Sequence, residues 1–182
     1  IDMGTFQALP FTVPHDAREP LQLQCSDAHT RLGLLTDLGH ASAHVLEQLQ
    51  GCDALMIEAN HDPEMLDASR YPPFLKRRVA GPYGHLANAV TADILRAVQH
   101  AGLRCVVAAH LSAKNNTAAL AQTLDAARQI EGSARAGRRG RGDGRRRRGG
   151  GRRHGLRLKV SREDERRALP PIAGALPHGL GG

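Results

Sequence analysis

The stretch CVVAAHLSAKNN, residues 105–116, combines an apolar run with an abrupt polar end. Its first five residues are apolar, and the polar residues that follow include His110, Ser112 and the pair Asn115–Asn116. A short apolar run with polar boundaries is typical of a strand buried on both faces. Functional groups gather where such strands end, because the scaffold is rigid there and solvent reaches the loops. We therefore predict a core strand that delivers His110 to the edge of a sheet.

Three further strand-like runs end in the same way. Polar residues follow FTVP (His15, Asp16), RLGLLT (Asp37) and ALMI (Glu58, Asn60, His61, Asp62). Imidazole and carboxylate groups that converge from several strand ends are the ingredients of a Zn, Mn or Fe site. The same groups could serve acid–base chemistry without a metal ion.

Each of these residues also has a structural interpretation. A lone histidine at a strand end is commonly a hydrogen-bonded or surface residue, and Asp16 or Asp37 could belong to a turn. Asn115 and Asn116 could cap the helix that follows rather than contact a substrate.

Apolar strand-like runs alternate with amphipathic segments before residue 132, which predicts an α/β fold. The amphipathic segment over residues 42–51 is a predicted helix, with Ser42 as its N-cap and Gly51 as its stop. We expect residues 61–85 to be rich in loops because Pro72–Pro73 breaks any long helix. The other predicted elements are strands over residues 5–13, 21–27, 31–37, 53–60 and 105–110 and helices over residues 88–102 and 116–130.

The composition changes sharply near residue 132. Ten arginines fall between Arg135 and Arg153, so this segment supplies the net charge of +7. Arg/Gly sequence of low complexity buries too little apolar surface to offset the entropy of ordering it. We predict one folded domain over residues 1–131 and a mostly disordered basic tail over residues 132–182.

The apolar runs and the cysteines indicate the cellular compartment of the protein. No apolar run reaches the roughly 18 to 20 residues that span a bilayer, so no membrane partner is predicted. Cys25, Cys52 and Cys105 lie in or beside apolar runs without CxxC spacing, as expected for buried thiols in a reducing cytoplasm. The sequence does not indicate an oligomeric state.

Six stretches, taken in order, resemble the C-terminal half of metallo-β-lactamase-fold hydrolases: TVPHDAREP, LLTDLGH, IEANHDPEML, YPPFLKRRVAG, GHLAN and AAHLSAKNN. They are most similar to the YycJ-type branch, which is related to ribonuclease Z and to metal-dependent phosphodiesterases. The resemblance covers about residues 5–130. It implies the C-terminal half of a four-layer αββα sandwich, with two divalent metal ions at one edge, Zn or Mn first and Fe as a further option.

The resemblance also implies roles for individual residues. His15, Asp37 and His110 match metal ligands of the family, with Asp37 as the carboxylate that bridges the two ions. Glu58, His61 and His85 match catalytic positions or positions that support the ligands, and His85 matches the histidine that protonates the leaving oxygen. The family usually has GHLSN where this chain has GHLAN, so the serine hydroxyl is replaced by Ala87.

Two departures from the family pattern affect the expected activity. The HxHxDH motif, which supplies most ligands of the first ion, does not occur in this sequence, and its expected place lies upstream of Ile1. We therefore expect a fragment that is not a competent hydrolase alone. The relatives also end with one more β segment after the last helix. This chain has an Arg/Gly run in place of that segment. The run predicts that the coding DNA is translated in a shifted reading frame beyond Ile130. An RNA-binding Arg/Gly tail is the competing interpretation.

By resemblance, the substrate is a phosphodiester, DNA or RNA, handled by an exonuclease. Predicted substrate contacts are Lys76, Arg77, Asn115 and Asn116; the LysArgArg run at 76–78 could equally be a solvated face. Two alternatives stay open. The first is a metallohydrolase of a small thioester, lactone or cyclic nucleotide. The second is a non-catalytic Arg/Gly protein that binds nucleic acid through its tail.

Overall fold

A six-stranded sheet organises the computed structural model, which describes residues 1–123 and 157–160. The strands lie side by side in chain order, β1 to β3 pair antiparallel, and β3 to β6 are parallel. Strands β1 to β6 are Gln7–Thr12, Leu21–Ser26, Arg31–Leu35, Ala54–Glu58, Cys105–Ala109 and Arg157–Val160. Helices α1 to α4 are Ala43–Leu49, Pro63–Ala68, Pro73–Val79 and Asn88–Val98. The α/β class predicted from the alternating pattern is confirmed.

The hydrophobic core lies between one face of the sheet and helices α1 and α4. Gly33 in β3 permits the close packing, because a Cβ there would lie 2.8 Å from the Leu55 side chain and 2.9 Å from that of Leu49. Central core members are Leu35, Ile57 and Val106 from the sheet, Val45 and Leu49 from α1, and Leu95 and Val98 from α4. Among the described residues, none of the helices has the length and the apolar character of a membrane span.

The opposite face of the sheet carries a second apolar row. The strand registers align Leu23, Leu34, Met56 and Val107 across β2 to β5. Met56 is 38% exposed, and the other three side chains are partly exposed. The sheet therefore has one buried face and one face that is apolar but only partly covered.

The prediction of a loop-rich segment over residues 61–85 is only partly correct: Pro72–Pro73 does break the helix there, but two short helices, α2 and α3, flank the break. The side chain of Asp62 caps α2 by accepting from the backbone N–H of Met65, and Pro63 occupies the first turn. Pro73 likewise begins α3. Proline breaks a helix interior but is favoured at the first helical position, where its missing N–H is not needed.

One end of each of two helices differs from the sequence prediction, whereas α1 agrees with it. Helix α1 matches the prediction, because Ser42 is its N-cap, its C-cap is Gln50, and Gly51 follows with a φ of 72° as expected of a glycine stop. Helix α4 ends at Val98 rather than Gly102. The helix predicted over residues 116–130 begins at residue 118 and is described to residue 123. Its cap is Thr117, whose hydroxyl accepts from the N–H of Leu120, and not the pair of asparagines.

Strand β6 lies beyond residue 131, the predicted end of the folded domain. Arg157–Val160 pairs in parallel with β5, with Cys105 opposite Arg157 and Ala108 opposite Val160. Val160 is buried in a small cluster with Ala108. Four residues of the segment predicted to be a disordered tail therefore belong to the sheet. The Arg/Gly run itself lies outside the described residues.

We predict that Leu95→Ala lowers the free energy of unfolding by about 2–5 kcal/mol, because the side chain is 2% exposed in the core. Leu9→Ala is the matched control, since Leu9 is 51% exposed, and should change stability by less than about 1 kcal/mol. Urea unfolding of both variants measures the difference. Equal losses would contradict the location of the core.

Candidate metal centre

Parallel strands deliver polar side chains to one edge of the sheet. Asp37 follows β3, Glu58 ends β4, and His110 follows β5. The carboxyl ends of parallel strands meet at the same edge, so the three side chains converge. His85 joins them from the loop between α3 and α4. One possible ligand atom from each of these four residues lies within 4.8 Å of the others.

Glu58 is the buried centre of this cluster, with a side chain that is 0% exposed. Its Oε1 accepts hydrogen bonds from Nδ1 of His85 and Nδ1 of His110, each at 2.8 Å. Its Oε2 accepts from the backbone N–H groups of Leu38 and Leu86, both at 3.2 Å. Since a carboxylate has about four acceptor sites, these bonds use the whole group. Glu58 is therefore better placed to orient the two imidazoles than to bind a metal ion directly.

The charge of Glu58 fixes the proton positions on both rings. Burial alone would raise the pKa of Glu58, but the hydrogen bonds from His110 and His85 outweigh burial and hold its pKa below the ordinary value. An ionised carboxylate only accepts hydrogen bonds, so both imidazoles carry a proton on Nδ1. In the neutral ring the lone pair is then on Nε2, which is the arrangement that metal-binding histidines commonly use.

The two residues that follow β3 and β5 have an unusual backbone conformation. Asp37 has φ of 53° and His110 has φ of 57°, and they are the non-glycine residues with positive φ in the described ranges. This left-handed conformation is uncommon outside glycine, although Asp and His adopt it more readily than most residues. Such strain is concentrated at functional sites, where the surrounding structure enforces it.

Glycines allow the loops around the cluster to approach each other closely. A Cβ on Gly39 would lie 2.3 Å from the carbonyl group of Pro82. A Cβ on Gly84 would lie 2.2 Å from the carbonyl oxygen of Arg78. The bare backbone at Gly39 keeps the loop after Asp37 against the loop that carries His85, and that at Gly84 keeps the His85 loop against the end of α3.

The cluster opens into a pocket of about 320 Å³. His15 lies in its wall, with its ring centroid 5.2 Å from that of His85 and its Nδ1 3.0 Å from the carbonyl oxygen of Gly84. It therefore stands beside the four-residue cluster, and its role as a ligand stays a prediction. The pocket, hereafter the metal pocket, is lined by His15, Asp16, Asp37, Leu75, Arg78, Val79, Gly84, His85 and His110.

Arg78, which the sequence analysis considered only as part of the basic run at 76–78, is a member of this wall. Its Nε lies 2.5 Å from Oδ2 of Asp16, and this hydrogen bond holds the pKa of Asp16 below its ordinary value. Leu75, Arg78 and Val79 have helical spacing and face the metal pocket from one side of α3. On a helix, Arg78 points to a different side from Lys76 and Arg77. The sequence analysis did not make this distinction, because it expected no long helix in this segment.

The other predicted site residues lie elsewhere. His61, Lys76 and Arg77 line a different pocket, on the far side of α3. Asn115 is 1% exposed and Asn116 is 5% exposed. The Asn116 amide donates to the carbonyl oxygen of Ala59 and exchanges hydrogen bonds with Asn88. Both asparagines are thus inside the protein, and their contact with a substrate stays a prediction.

The donor set fits a divalent metal ion. The imidazole of His110 and the partly exposed carboxylate of Asp37 are ligand types that Zn, Mn and Fe share, and the imidazole of His85 lies in the same cluster. The buried carboxylate of Glu58 behind the imidazoles matches the usual support for ligating histidines. The carboxyl edge of the sheet can therefore hold a divalent ion.

We predict that Glu58→Gln weakens binding of Zn²⁺ or Mn²⁺ by about 10–100-fold, because an amide cannot accept hydrogen bonds at all the positions that the carboxylate uses. Glu64→Gln is the matched control, because Glu64 is exposed on α2. Isothermal titration calorimetry on the metal-free chain measures both affinities. An unchanged affinity in Glu58→Gln, with a native melting transition, would contradict the orienting role.

Comparison with known proteins gives no matching family model. The chain is 35% identical over 119 residues to the exodeoxyribonuclease YycJ of Bacillus anthracis, a match that covers 65% of this chain and 45% of the relative. It is 33% identical over 118 residues to the exodeoxyribonuclease WalJ of Streptococcus pneumoniae, covering 65% of this chain and 44% of the relative. The chain thus matches less than half the length of these curated relatives.

Among solved structures, the chain is similar to the metallo-β-lactamase fold protein YhfI from Bacillus subtilis. The TM-score is 0.53 at 11% identity, and the match covers 88% of this chain and 49% of that protein. The similarity in fold and the similarity in sequence both agree with the family resemblance that the six ordered motifs indicated. The chain carries part of a metallo-β-lactamase fold and resembles the YycJ-type branch.

Proposed function

We propose that the chain forms the C-terminal half of a metal-dependent phosphodiesterase that degrades nucleic acid as an exonuclease. The observation that carries this proposal is the cluster of Asp37, Glu58, His85 and His110 at the carboxyl edge of the sheet. It occurs in a chain that is 35% identical, over the matched segment, to a protein named an exodeoxyribonuclease.

The ligands would be His15, Asp37 and His110, with Asp37 between two ions. Zn and Mn suit this set best, and Fe is a further option. A divalent ion bound there would lower the pKa of a water molecule and offset negative charge on the phosphoryl oxygens. The partly exposed carboxylate of Asp37 faces the pocket, where a phosphodiester would also lie.

His85 is the proposed proton donor to the leaving oxygen. Its Nδ1–H is held by Glu58, so Nε2 is the nitrogen that can carry a second proton. The 2.8 Å hydrogen bond to the buried carboxylate of Glu58 holds the ring in one orientation. A side chain that is 25% exposed at the wall of the pocket can reach a bound substrate.

Arg78 is the proposed contact to a phosphate of the substrate. Its guanidinium lines the metal pocket and is paired with Asp16. A planar guanidinium recognises phosphate oxygens through paired hydrogen bonds. Lys76 and Arg77 face away from this pocket, so they are not assigned to the reacting phosphate.

The partly covered face of the sheet supports the assignment to half of a sandwich. The apolar row formed by Leu23, Leu34, Met56 and Val107 lies opposite the helical layer. We propose that a second sheet packs against this row, and that residues 1–131 together with β6 form one half of the domain. The ligands that this half does not carry would come from that second sheet.

The test is a chimaera in which the matching 119-residue segment of this chain replaces its counterpart in the Bacillus anthracis relative. We expect the chimaera to degrade DNA in a metal-dependent manner. Asp37→Ala in the chimaera should lower the rate by about 10³-fold, since metal catalysis supplies several kcal/mol and each 1.4 kcal/mol is tenfold. Release of mononucleotides from end-labelled DNA measures the rate.

Asp93→Ala is the control, because Asp93 is 63% exposed on α4, away from the cluster. It should leave the rate unchanged. A chimaera that melts cooperatively and takes up metal, but releases no nucleotide, would contradict the proposed function. An active chimaera that is indifferent to Asp37→Ala would contradict the proposed ligand.

A further inference from the structure

The metal pocket has two carboxylates in its wall, those of Asp16 and Asp37, beside the imidazoles of His15, His85 and His110. Among the described residues that line it, Arg78 is the one that always carries a positive charge. A carboxylate repels phosphate oxygens, so each acid in a pocket that takes a phosphodiester opposes binding unless it has another role. Asp37 has such a role as a proposed metal ligand, whereas Asp16 lies outside the four-residue cluster. The presence of Asp16 therefore needs a separate explanation.

Asp16 is a fixed hydrogen-bond acceptor beside Arg78. Its backbone N–H donates to the carbonyl oxygen of Tyr83 at 2.9 Å, which holds the loop between β1 and β2 against the loop that carries His85. Its Oδ2 accepts from Nε of Arg78 at 2.5 Å, and its Oδ1 lies 3.7 Å from Nε2 of His15. The carboxylate thus joins the loop after β1 to the last turn of α3.

Arg78 gains from such an anchor because its side chain is 66% exposed. A free arginine with this exposure samples many rotamers, and ordering it on a ligand costs conformational entropy. The bond to Asp16 orders the guanidinium before a ligand arrives, and it uses the single N–H of Nε. In the described part of the chain, neither Nη1 nor Nη2 makes a hydrogen bond. Their four N–H groups remain for paired hydrogen bonds to two oxygens of a phosphate.

We infer that Asp16 is a positioning residue, which holds Arg78 by Nε so that Nη1 and Nη2 meet the phosphate of a phosphodiester in the metal pocket. The inference rests on the proposed function, because Arg78 acts on the substrate that is assigned there. Asp16 itself does not touch the phosphate. Its charge opposes binding, whereas its hydrogen bond favours binding through Arg78. Since these two effects have opposite signs, substitutions can separate them.

The test measures the affinity of the 182-residue chain for a thymidine dinucleotide with a single phosphodiester, in EDTA at low salt. Two-dimensional ¹H–¹⁵N NMR follows the backbone amide of Gly84, which lines the metal pocket, so that binding to the Arg/Gly segment is not counted. The same spectra show the Nε–H of Arg78, identified by its loss in Arg78→Ala. In the free wild-type chain, we expect this signal to be displaced from those of solvated arginines. The Gly84 signal should shift to saturation as the dinucleotide is added.

Asp16→Ala should weaken binding about fivefold, although it removes a negative charge from the pocket, because the ligand must then order Arg78. Asp16→Asn should bind at least as tightly as the wild-type chain, since its amide oxygen can still accept from Nε and the charge is gone. In the Arg78→Ala background, Asp16→Ala should instead tighten binding, because only the repulsion is left to remove. Asp93→Ala is the matched control: it breaks the exposed ion pair with Arg96 on α4, outside the pocket wall, and should change the affinity by less than about twofold.

An affinity that Asp16→Ala leaves unchanged or raises would overturn the inference, as would equal weakening by Asp16→Ala with and without Arg78. If Asp16→Ala does not fold, the wild-type spectra decide the question. An Arg78 Nε–H signal at the position of solvated arginines, or a Gly84 signal that ignores the dinucleotide, would also overturn it. Because no metal ion is present, none of these results depends on hydrolysis. The expected set of affinities combined with an inactive chimaera would retain the role of Asp16 and reject the proposed function, and an active chimaera without that set would do the reverse.

Discussion

The buried carboxylate of Glu58 is the interaction on which the candidate site depends. It joins two histidines from different elements to two backbone N–H groups, those of Leu38 and Leu86, through hydrogen bonds of 2.8–3.2 Å. An ionised carboxylate without such partners would be very unfavourable at 0% exposure, so the fold must keep the loops in place to satisfy it. The site and the stability of this edge of the sheet are therefore coupled.

The parallel half of the sheet explains why the loops converge at this edge. β3, β4 and β5 bring Asp37, Glu58 and His110 to their carboxyl ends. Left-handed backbone at Asp37 and His110 turns the chain sharply at those ends. The strain, of order 1–3 kcal/mol for each residue, persists because core packing on one side and the Glu58 hydrogen bonds on the other hold the chain there.

Sequence patterns predicted the strands because each apolar run is short and ends at a polar residue. They also indicated Asp37, Glu58 and His110 as strand-end groups. His85 lies in a loop without apolar periodicity, so only the family resemblance indicated it. Arg78 was not separated from Lys76 and Arg77, because prolines that begin helices were interpreted as breaks. β6 was missed because the run at 157–160 follows low-complexity sequence, and only its pairing with β5 identifies it as a strand.

Long-range ¹H–¹⁵N NMR of the histidine rings tests the central claim most directly. If Glu58 fixes both rings, His85 and His110 carry their proton on Nδ1 in the metal-free protein, and added Zn²⁺ shifts the Nε2 resonance of His110 while the Nδ1 protons of both rings remain. Rings protonated on Nε2, or Zn²⁺ that displaces the Nδ1 protons, would show that Glu58 does not orient these histidines and would contradict the account.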